Sequence, residues 1–413
     1  MKRRIVAIVF ILVLVTTACA PKVQSEDLMK DISADVVDGD PSVTVNGADV
    51  SDFAIRLLRA NGISDKNVLI SPMSILCALG MTANGAQGET LKQMENVLGI
   101  PITMLNNYIY GYRQVLPQSN NCKINLANSI WFTDDDKLSV KPSFLQVNAD
   151  YYGADMYQTP FAQTTLRDIN NWVQKETDGM IPEILDEIPQ EAVMYLINAL
   201  AFEAEWGEVY KKNQVHEGIF TKEDGEKQTA QFMYGTEGYY LKDDRAKGFL
   251  KFYRDSNYAF VALLPNEGIT VSEYLSTMDG ERLETLLARR PRTAVQTSLP
   301  KFETEYSMEL SQVLFNMGMV DAFDEELANF TELGTYEGGQ KNIYISRVLH
   351  KTHIIVGEKG TKAGAATVVE MAKGTAVEVY ENEVYLDRPF VYMLVDCTTN
   401  VPFFIGTMMD VAE

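Results

Sequence analysis

Residues 357–377 are written for two conformations, and any fold for this chain must accommodate both. Glycines 357, 360 and 364 loosen the first half, because glycine takes up backbone angles that other residues avoid. Yet the stretch also carries a strand's period of two. Thr361, Ala363, Ala365, Thr367, Val369 and Met371 share one face and bear no charge. Lys362, Gly364, Ala366, Val368, Glu370 and Ala372 share the other, which holds both charges. A segment suited both to a mobile loop and to a strand with a buried face is a candidate switch. Small residues with scattered charge ordinarily mean a solvated linker. Two features argue otherwise: a linker has no need of the alternation, and the flanks are organised. Residues 342–356 are apolar and β-branched, and residues 389–395 and 401–406 read as buried strands.

A resemblance enters at these residues. Glu358-Lys-Gly-Thr-Lys-Ala-Gly-Ala-Ala-Thr367 resembles the hinge of a serpin reactive-centre loop. Asp387-Arg-Pro-Phe-Val391 and Val401-Pro-Phe-Phe-Ile-Gly406 resemble the family's two closing strands. The likeness runs in order from about residue 51 to residue 410. It implies an α+β (mixed) fold. One serpin-like domain over residues 47–413 is expected to hold a large central β-sheet, further sheets, surrounding helices and an exposed reactive-centre loop at about 357–387.

The N-terminus reads as a processing segment. Lys2, Arg3 and Arg4 form a basic start, and residues 5–15 form an apolar run too short to span a bilayer, which is the pattern of a signal peptide over residues 1–19. Thr16-Thr-Ala-Cys19 is similar to a bacterial lipobox, with Thr16 where leucine is usual. Two readings stay open there: lipidation at Cys19, or ordinary cleavage near Ala18 or Ala20. Either exports the chain, as a cell-envelope lipoprotein facing outside the cytoplasm or as a secreted protein. One acylated cysteine would be the only hold on a membrane. Residues 20–46 are acidic, apolar-poor and aperiodic, and read as a flexible tether.

A formal charge of −21 makes the chain a poor partner for nucleic acid or anionic lipid. Of four cysteines, three remain if Cys19 is lipidated, so at most one disulfide could form. Cys77 lies in an apolar helix and Cys397 beside a strand, the setting of buried free thiols.

Along the chain, residues 51–60 read as an amphipathic helix, with Ser51 or Asp52 as cap and Gly62 as stop. Residues 68–85 read as a short strand running into a helix apolar all round, which belongs in a core, with Pro72 in its first turn. Residues 126–133, 258–268 and 298–302 read as strands; residues 89–98, 170–179 and 306–318 read as helices. In serpins the strand and helix beginning Ser-Pro-x-Ser lie under the central sheet where it opens. The resemblance therefore places Ser71, Ser74, Asn198 and His350 in one polar network that fastens the sheet and can re-form after opening. Such groups need partners, because a buried polar group without one costs about 1–3 kcal/mol. Trp206 matches the family's breach tryptophan, where the loop starts to insert.

Catalytic patterns are weak. The three histidines offer no metal-ligand spacing, and neither a nucleophile elbow nor a phosphate loop occurs. Ser298-Leu-Pro-Lys301 satisfies the Ser-x-x-Lys motif, but that motif needs a helical turn, and Pro300 in a β-rich context denies it. No enzymatic activity, metal or cofactor is expected.

The resemblance implies a suicide inhibitor whose partner is a target serine protease, held as a covalent acyl complex by a monomer. The hinge residues are Glu358, Gly360, Thr361, Ala363, Gly364, Ala365, Ala366 and Thr367. Family spacing from Glu358 places the cleaved bond at Gly374–Thr375, with Lys373, Ala376 and Val377 as neighbouring candidates. Lys373 would invite a trypsin-like protease; Gly374, Ala376 or Val377 would suit an elastase- or subtilisin-like one, the reading slightly favoured. Physical scale permits the mechanism. A strand of about a dozen residues gains on the order of 10 kcal/mol in ladder hydrogen bonds. Burying Val369 and Met371 adds about 1.5–3 kcal/mol each, against a typical whole-domain stability of about 5–15 kcal/mol. The alternative is a non-inhibitory member of the same fold that acts as a cell-surface binding protein.

Overall fold

The computed structural model describes residues 25–37, 45–62, 66–119, 121–135, 137–188, 192–337, 342–361 and 381–412. The expected signal peptide and Cys19 lie outside them. So do Ala363, Gly364, Ala365, Ala366 and Thr367 of the hinge, and the bond candidates Lys373, Gly374, Thr375, Ala376 and Val377.

Helix α1 (Gly47–Ala60) buries one face of apolar side chains and is tied on its wet side by Arg56 and Asp52, 2.6 Å apart. Its cap is Asn46, whose side chain accepts from the Ala48 N–H; Ser51, expected as a cap, is buried within the helix. Helix α2 (Pro72–Ala83) is buried at every residue, which is why its sequence shows no polar face. Pro72 occupies its first turn, where a missing N–H does no harm, and Ser71 caps it by accepting from the Ser74 N–H.

Both helices pack against a six-stranded sheet, and α2 also packs against an eight-stranded one. The six-stranded sheet runs in the order Tyr239–Lys242, Ala246–Phe252, Tyr258–Pro265, Phe390–Asp396, Val401–Met408, Val68–Ile70. Its central strands are buried on both faces, so their sequences are continuous apolar runs. A four-stranded sheet orders Glu383–Tyr385, Val295–Pro300, Lys227–Glu237 and Val215–Thr221.

The eight-stranded sheet carries the functional geometry. In chain order its strands are β1 (Glu26–Asp27), β2 (Gln118–Ser119), β3 (Cys122–Thr133), β4 (Asp155–Thr159), β5 (Met194–Glu205), β6 (Phe302–Glu309), β7 (Arg347–Val356) and β8 (Gly360–Thr361). Across the sheet the order is β1-β4-β3-β5-β8-β7-β6, with β2 paired to β3. Helix α3 (Gln163–Glu176) covers its outer face: Ile169, Trp172 and Val173 cluster with Ala127, Trp131, Ile197 and Leu349.

Two expectations are corrected. Residues 25–37 are not a tether. Glu26 and Asp27 pair antiparallel with Gln158 and Tyr157 of β4, the Ser25 hydroxyl donates to Asp168 on α3 at 2.8 Å, and Leu28, Met29 and Ile32 pack on the core. Strand pairing uses backbone groups, so acidic composition did not forbid it. Residues 306–318 are not one helix. Through Glu309 they belong to β6, where side chains alternate in exposure, and the helix is only Ser311–Asn316.

Candidate functional site: the hinge and the seam beneath it

Strands β5 and β7 run parallel, with Tyr195 through Leu200 opposite Arg347 through Thr352. Beyond that point they diverge and β8 sits between them. Gly360 pairs with Glu205 and Thr361 with Ala204 on β5; Thr361 also pairs with Val356 on β7, and both pairings are antiparallel. Of the described hinge residues, Gly360 and Thr361 thus form a short strand between β5 and β7, and Glu358 precedes it. A parallel pair is slightly weaker per residue than an antiparallel one. A strand continuing from β8 would exchange one parallel ladder for two antiparallel ladders.

Gly360 is required here by a close approach. A Cβ at this position would collide with the Ala204 carbonyl. Thr361 is fully buried, and its hydroxyl lies 2.5 Å from that of Tyr253. Trp206 stacks on Tyr253 with centroids 4.5 Å apart and planes 11° apart. Its indole Nε1 donates to the Gly357 carbonyl and its backbone N–H to the Lys359 carbonyl, both at 2.8 Å. Trp206 therefore holds residues 357–359, the turn that leads into β8. Lys251 lies 4.2 Å from the Tyr210 ring and 5.4 Å from that of Trp206, and pairs with Glu237 at 2.8 Å. Burial raises the Glu237 carboxyl above its ordinary range, and the Lys251 charge works against that.

Glu358 caps the site from outside. Lys301 reaches it at 2.8 Å, and its carbonyl accepts from the Tyr210 N–H. Burial alone would raise this carboxyl, but hydrogen bonds from Lys301 and its own backbone, with the charges of Lys301 and Lys359, hold it below the ordinary value. The Ser298–Lys301 pair is therefore structural in its placement: Ser298 lies in Val295–Pro300 and Lys301 turns toward the hinge.

Where the seam is closed, the structure joins Ser71, Ser74, Asn198 and His350. Asn198 on β5 and His350 on β7 are direct partners across the parallel pair. The Ser71 N–H donates to His350 Nε2 at 3.0 Å, so the ring proton sits on Nδ1, which faces Asn198 Oδ1 at 2.5 Å. Ser74 Oγ lies 3.1 Å from the same oxygen, and Asn198 Nδ2 donates to the Leu349 carbonyl at 3.1 Å. All four residues are fully buried. Burial pulls the His350 pKa from 6.5 down to about 3, which keeps the ring neutral and free to accept from Ser71. Each member is satisfied within this network, as a buried polar cluster requires.

Sequence reasoning missed Tyr253, Tyr210 and Lys251, and weighed Lys301 only as half of a catalytic motif. Tyr253, Lys251 and Lys301 sit in or beside strands of ordinary composition and Tyr210 in the connection before Lys212–Gln214, so only tertiary proximity to residues 358–361 distinguishes them. Cys77, Cys122 and Cys397 are free thiols, and burial pushes the Cys77 thiol up to about 12. Among the described residues, no cluster of His, Cys, Asp and Glu could hold a metal ion, and no helix is long and apolar enough to cross a membrane.

The family described as Serpin (serine protease inhibitor) matches residues 48–411. Human serpin B8 is 30% identical over 371 residues, covering 86% of this chain and 96% of the relative. The crystal structure of a thermophilic serpin, tengpin, in the native state is similar with a TM-score of 0.88 and 45% identity, over 94% of this chain and 100% of the other. Tengpin in the latent state gives a TM-score of 0.77 at 44% identity, over 92% and 100%. The chain belongs to the serpin family, whose members are generally protease inhibitors rather than catalysts. Its fold is the single-domain α+β serpin fold.

Proposed function

We propose that this chain is an irreversible inhibitor of serine proteases that works by cleavage and insertion of its own loop. The protease serine attacks a carbonyl within residues 373–377, the peptide bond breaks, the new amino terminus leaves, and an ester joins the two proteins. The hinge side then extends β8 down the β5–β7 seam and carries the protease with it. Its catalytic groups lose register and the ester is not hydrolysed. The observation that carries this reading is that β8 is already antiparallel to both neighbours while those neighbours are parallel to each other. The greater likeness to native than to latent tengpin supports a seam that is still closed below Thr361.

The uncut state is then kinetically held rather than lowest in free energy. Gly374–Thr375 is the favoured bond, with a small-pocket protease as the favoured target. The protein acts as a monomer, exported and either lipidated at Cys19 or secreted. Incubation with trypsin-, elastase- and subtilisin-like proteases, followed by denaturing electrophoresis and sequencing of the cut site, tests this. Complexes that survive denaturant are expected. Cleavage without such complexes, and a nicked form no harder to melt than the intact one, would favour a non-inhibitory surface protein.

A further inference from the structure

Two residues grip three consecutive carbonyls of the turn into β8. The Gly357 carbonyl accepts from the Trp206 indole at 2.8 Å, the Lys359 carbonyl from the Trp206 N–H at 2.8 Å, and the Glu358 carbonyl from the Tyr210 N–H at 2.9 Å. The Lys251 ammonium lies against the rings of these same two residues, 4.2 Å from the Tyr210 centroid and 5.4 Å from that of Trp206. We propose that Lys251 is a positioning residue, a buried cation that locks Trp206 and Tyr210 into one arrangement and ties their grip on residues 357–359 to the four-stranded sheet. The inference deepens the inhibitor reading above and rests on it for its effect on trapping.

Lys251 belongs to Ala246–Phe252 of the six-stranded sheet, and its ion partner Glu237 ends Lys227–Glu237 of the four-stranded sheet. Their side chains are only 4% and 13% exposed. Taking two charges out of water costs about as much as their attraction returns, so an apolar pair of similar volume would serve stability as well. What the ion pair adds is geometry. A cation is held by an aromatic face only within about 6 Å of its centroid, and the ammonium meets that limit for both rings at once. Glu237 fixes it there at 2.8 Å. Gly235, on the same strand as Glu237, lets the Tyr210 ring close in: a Cβ there would lie 3.1 Å from it. Tyr253, two residues beyond Lys251, stacks on the Trp206 indole.

In the inhibitor reading, residues 357–359 are the pivot about which the cut loop enters the sheet. A slack pivot leaves cleavage unchanged but delays entry, and the acyl-enzyme hydrolyses meanwhile. Lys251 therefore acts on the partition between trapping and release. It touches neither protease nor cleaved bond.

The test uses the full chain. The double variant Lys251→Met with Glu237→Leu keeps the volume and removes both charges; Lys251→Arg keeps a cation that stacks on aromatic rings. Hydrogen–deuterium exchange at the Trp206 and Tyr210 amides, two of the three donors, reads the grip, and thermal unfolding reads stability. The double variant is expected to melt no lower than wild type while both amides exchange about tenfold faster. Lys251→Arg is expected to exchange as wild type does. Wild-type exchange in the double variant overturns the proposal, and so does a lower melting point with exchange raised throughout the chain, which would mean lost packing. Lys251→Arg exchanging as fast as the double variant overturns the role of the charge; should Lys251→Arg not fold, the double variant decides alone. Against a protease that wild type traps, the double variant is expected to be cut at the wild-type rate but to need several-fold more inhibitor per enzyme. An unchanged ratio overturns the role in trapping. If wild type traps no protease while the two amides respond as expected, the inhibitor reading falls and the link from Lys251 to the grip stands.

Discussion

The hydroxyl oxygens of Tyr253 and Thr361 lie 2.5 Å apart, both residues fully buried, at the point where the hinge joins the sheet. Tyr253 is fixed by its stack on Trp206, so the phenol is a preset partner for the first inward-facing residue of the hinge. Tyr253→Phe would leave the Thr361 hydroxyl buried without this bond, a loss of about 1–3 kcal/mol. Urea unfolding of the intact protein should show it, with faster amide exchange at Gly360 and Thr361. An unchanged midpoint would mean that the contact is geometric only.

Thr361→Arg places a guanidinium where a small hydroxyl is enclosed, and that charge cannot be shed by deprotonation. The hinge should no longer seat and insertion should slow. The acyl-enzyme then has time to hydrolyse. The variant is expected to be cut at the same bond as wild type without forming denaturant-resistant complexes. Stable complexes at the wild-type yield would refute the assignment of Thr361 as the leading inward residue.

His350 makes the closed seam sensitive to acid. Its folded pKa is depressed to about 3 from 6.5, so the unfolded chain takes up a proton that the folded chain refuses. The contribution is complete above pH 6.5 and is lost as pH falls through the window from 6.5 to about 3, on the order of 5 kcal/mol in all. Unfolding titrations between about pH 7 and about pH 4.5 should show stability rising with pH. His350→Gln should flatten that slope. A slope unaltered by the substitution would assign the acid sensitivity elsewhere.

Removing residues 1–37 should weaken the protein from the far edge of the same sheet. The truncation exposes the β4 edge at Tyr157 and Gln158 and strips Leu28, Met29 and Ile32 from the core. A lower denaturation midpoint is expected, together with self-association by edge pairing, read by sedimentation. A truncated protein as stable and as monomeric as the full chain would show that the N-terminal strand is passive.

What the sequence made legible follows from burial. Helix α2 and the strands Tyr258–Pro265, Phe390–Asp396 and Val401–Met408 are enclosed on every side, so apolar runs announce them. Ser71, Ser74, Asn198, His350 and Trp206 were placed through family resemblance; period and composition would have left each as an ordinary core residue. Segments stabilised mainly by backbone pairing were misread. The acidic residues of β1 carry no strand pattern, and β6 was not recognised: Phe302 was joined to the strand before it, and residues 306–309 were given to a helix because the apolar residues there also fit a helical period. The Asn46 cap was passed over for Ser51 and Asp52, which lie nearer the periodic segment.

The pairing of Gly360 with Glu205 has an arithmetic consequence for the bait. With that first partner fixed, the parity of every later position is fixed too. One extra residue just after Thr361 would turn Lys362 and Glu370 toward the hydrophobic interior and send Val369 and Met371 outward. Two extra residues would leave the inside and outside sets unchanged. Lineages sharing this anchor should therefore vary the length of that segment in steps of two, and odd-numbered insertions should mark proteins that have given up trapping.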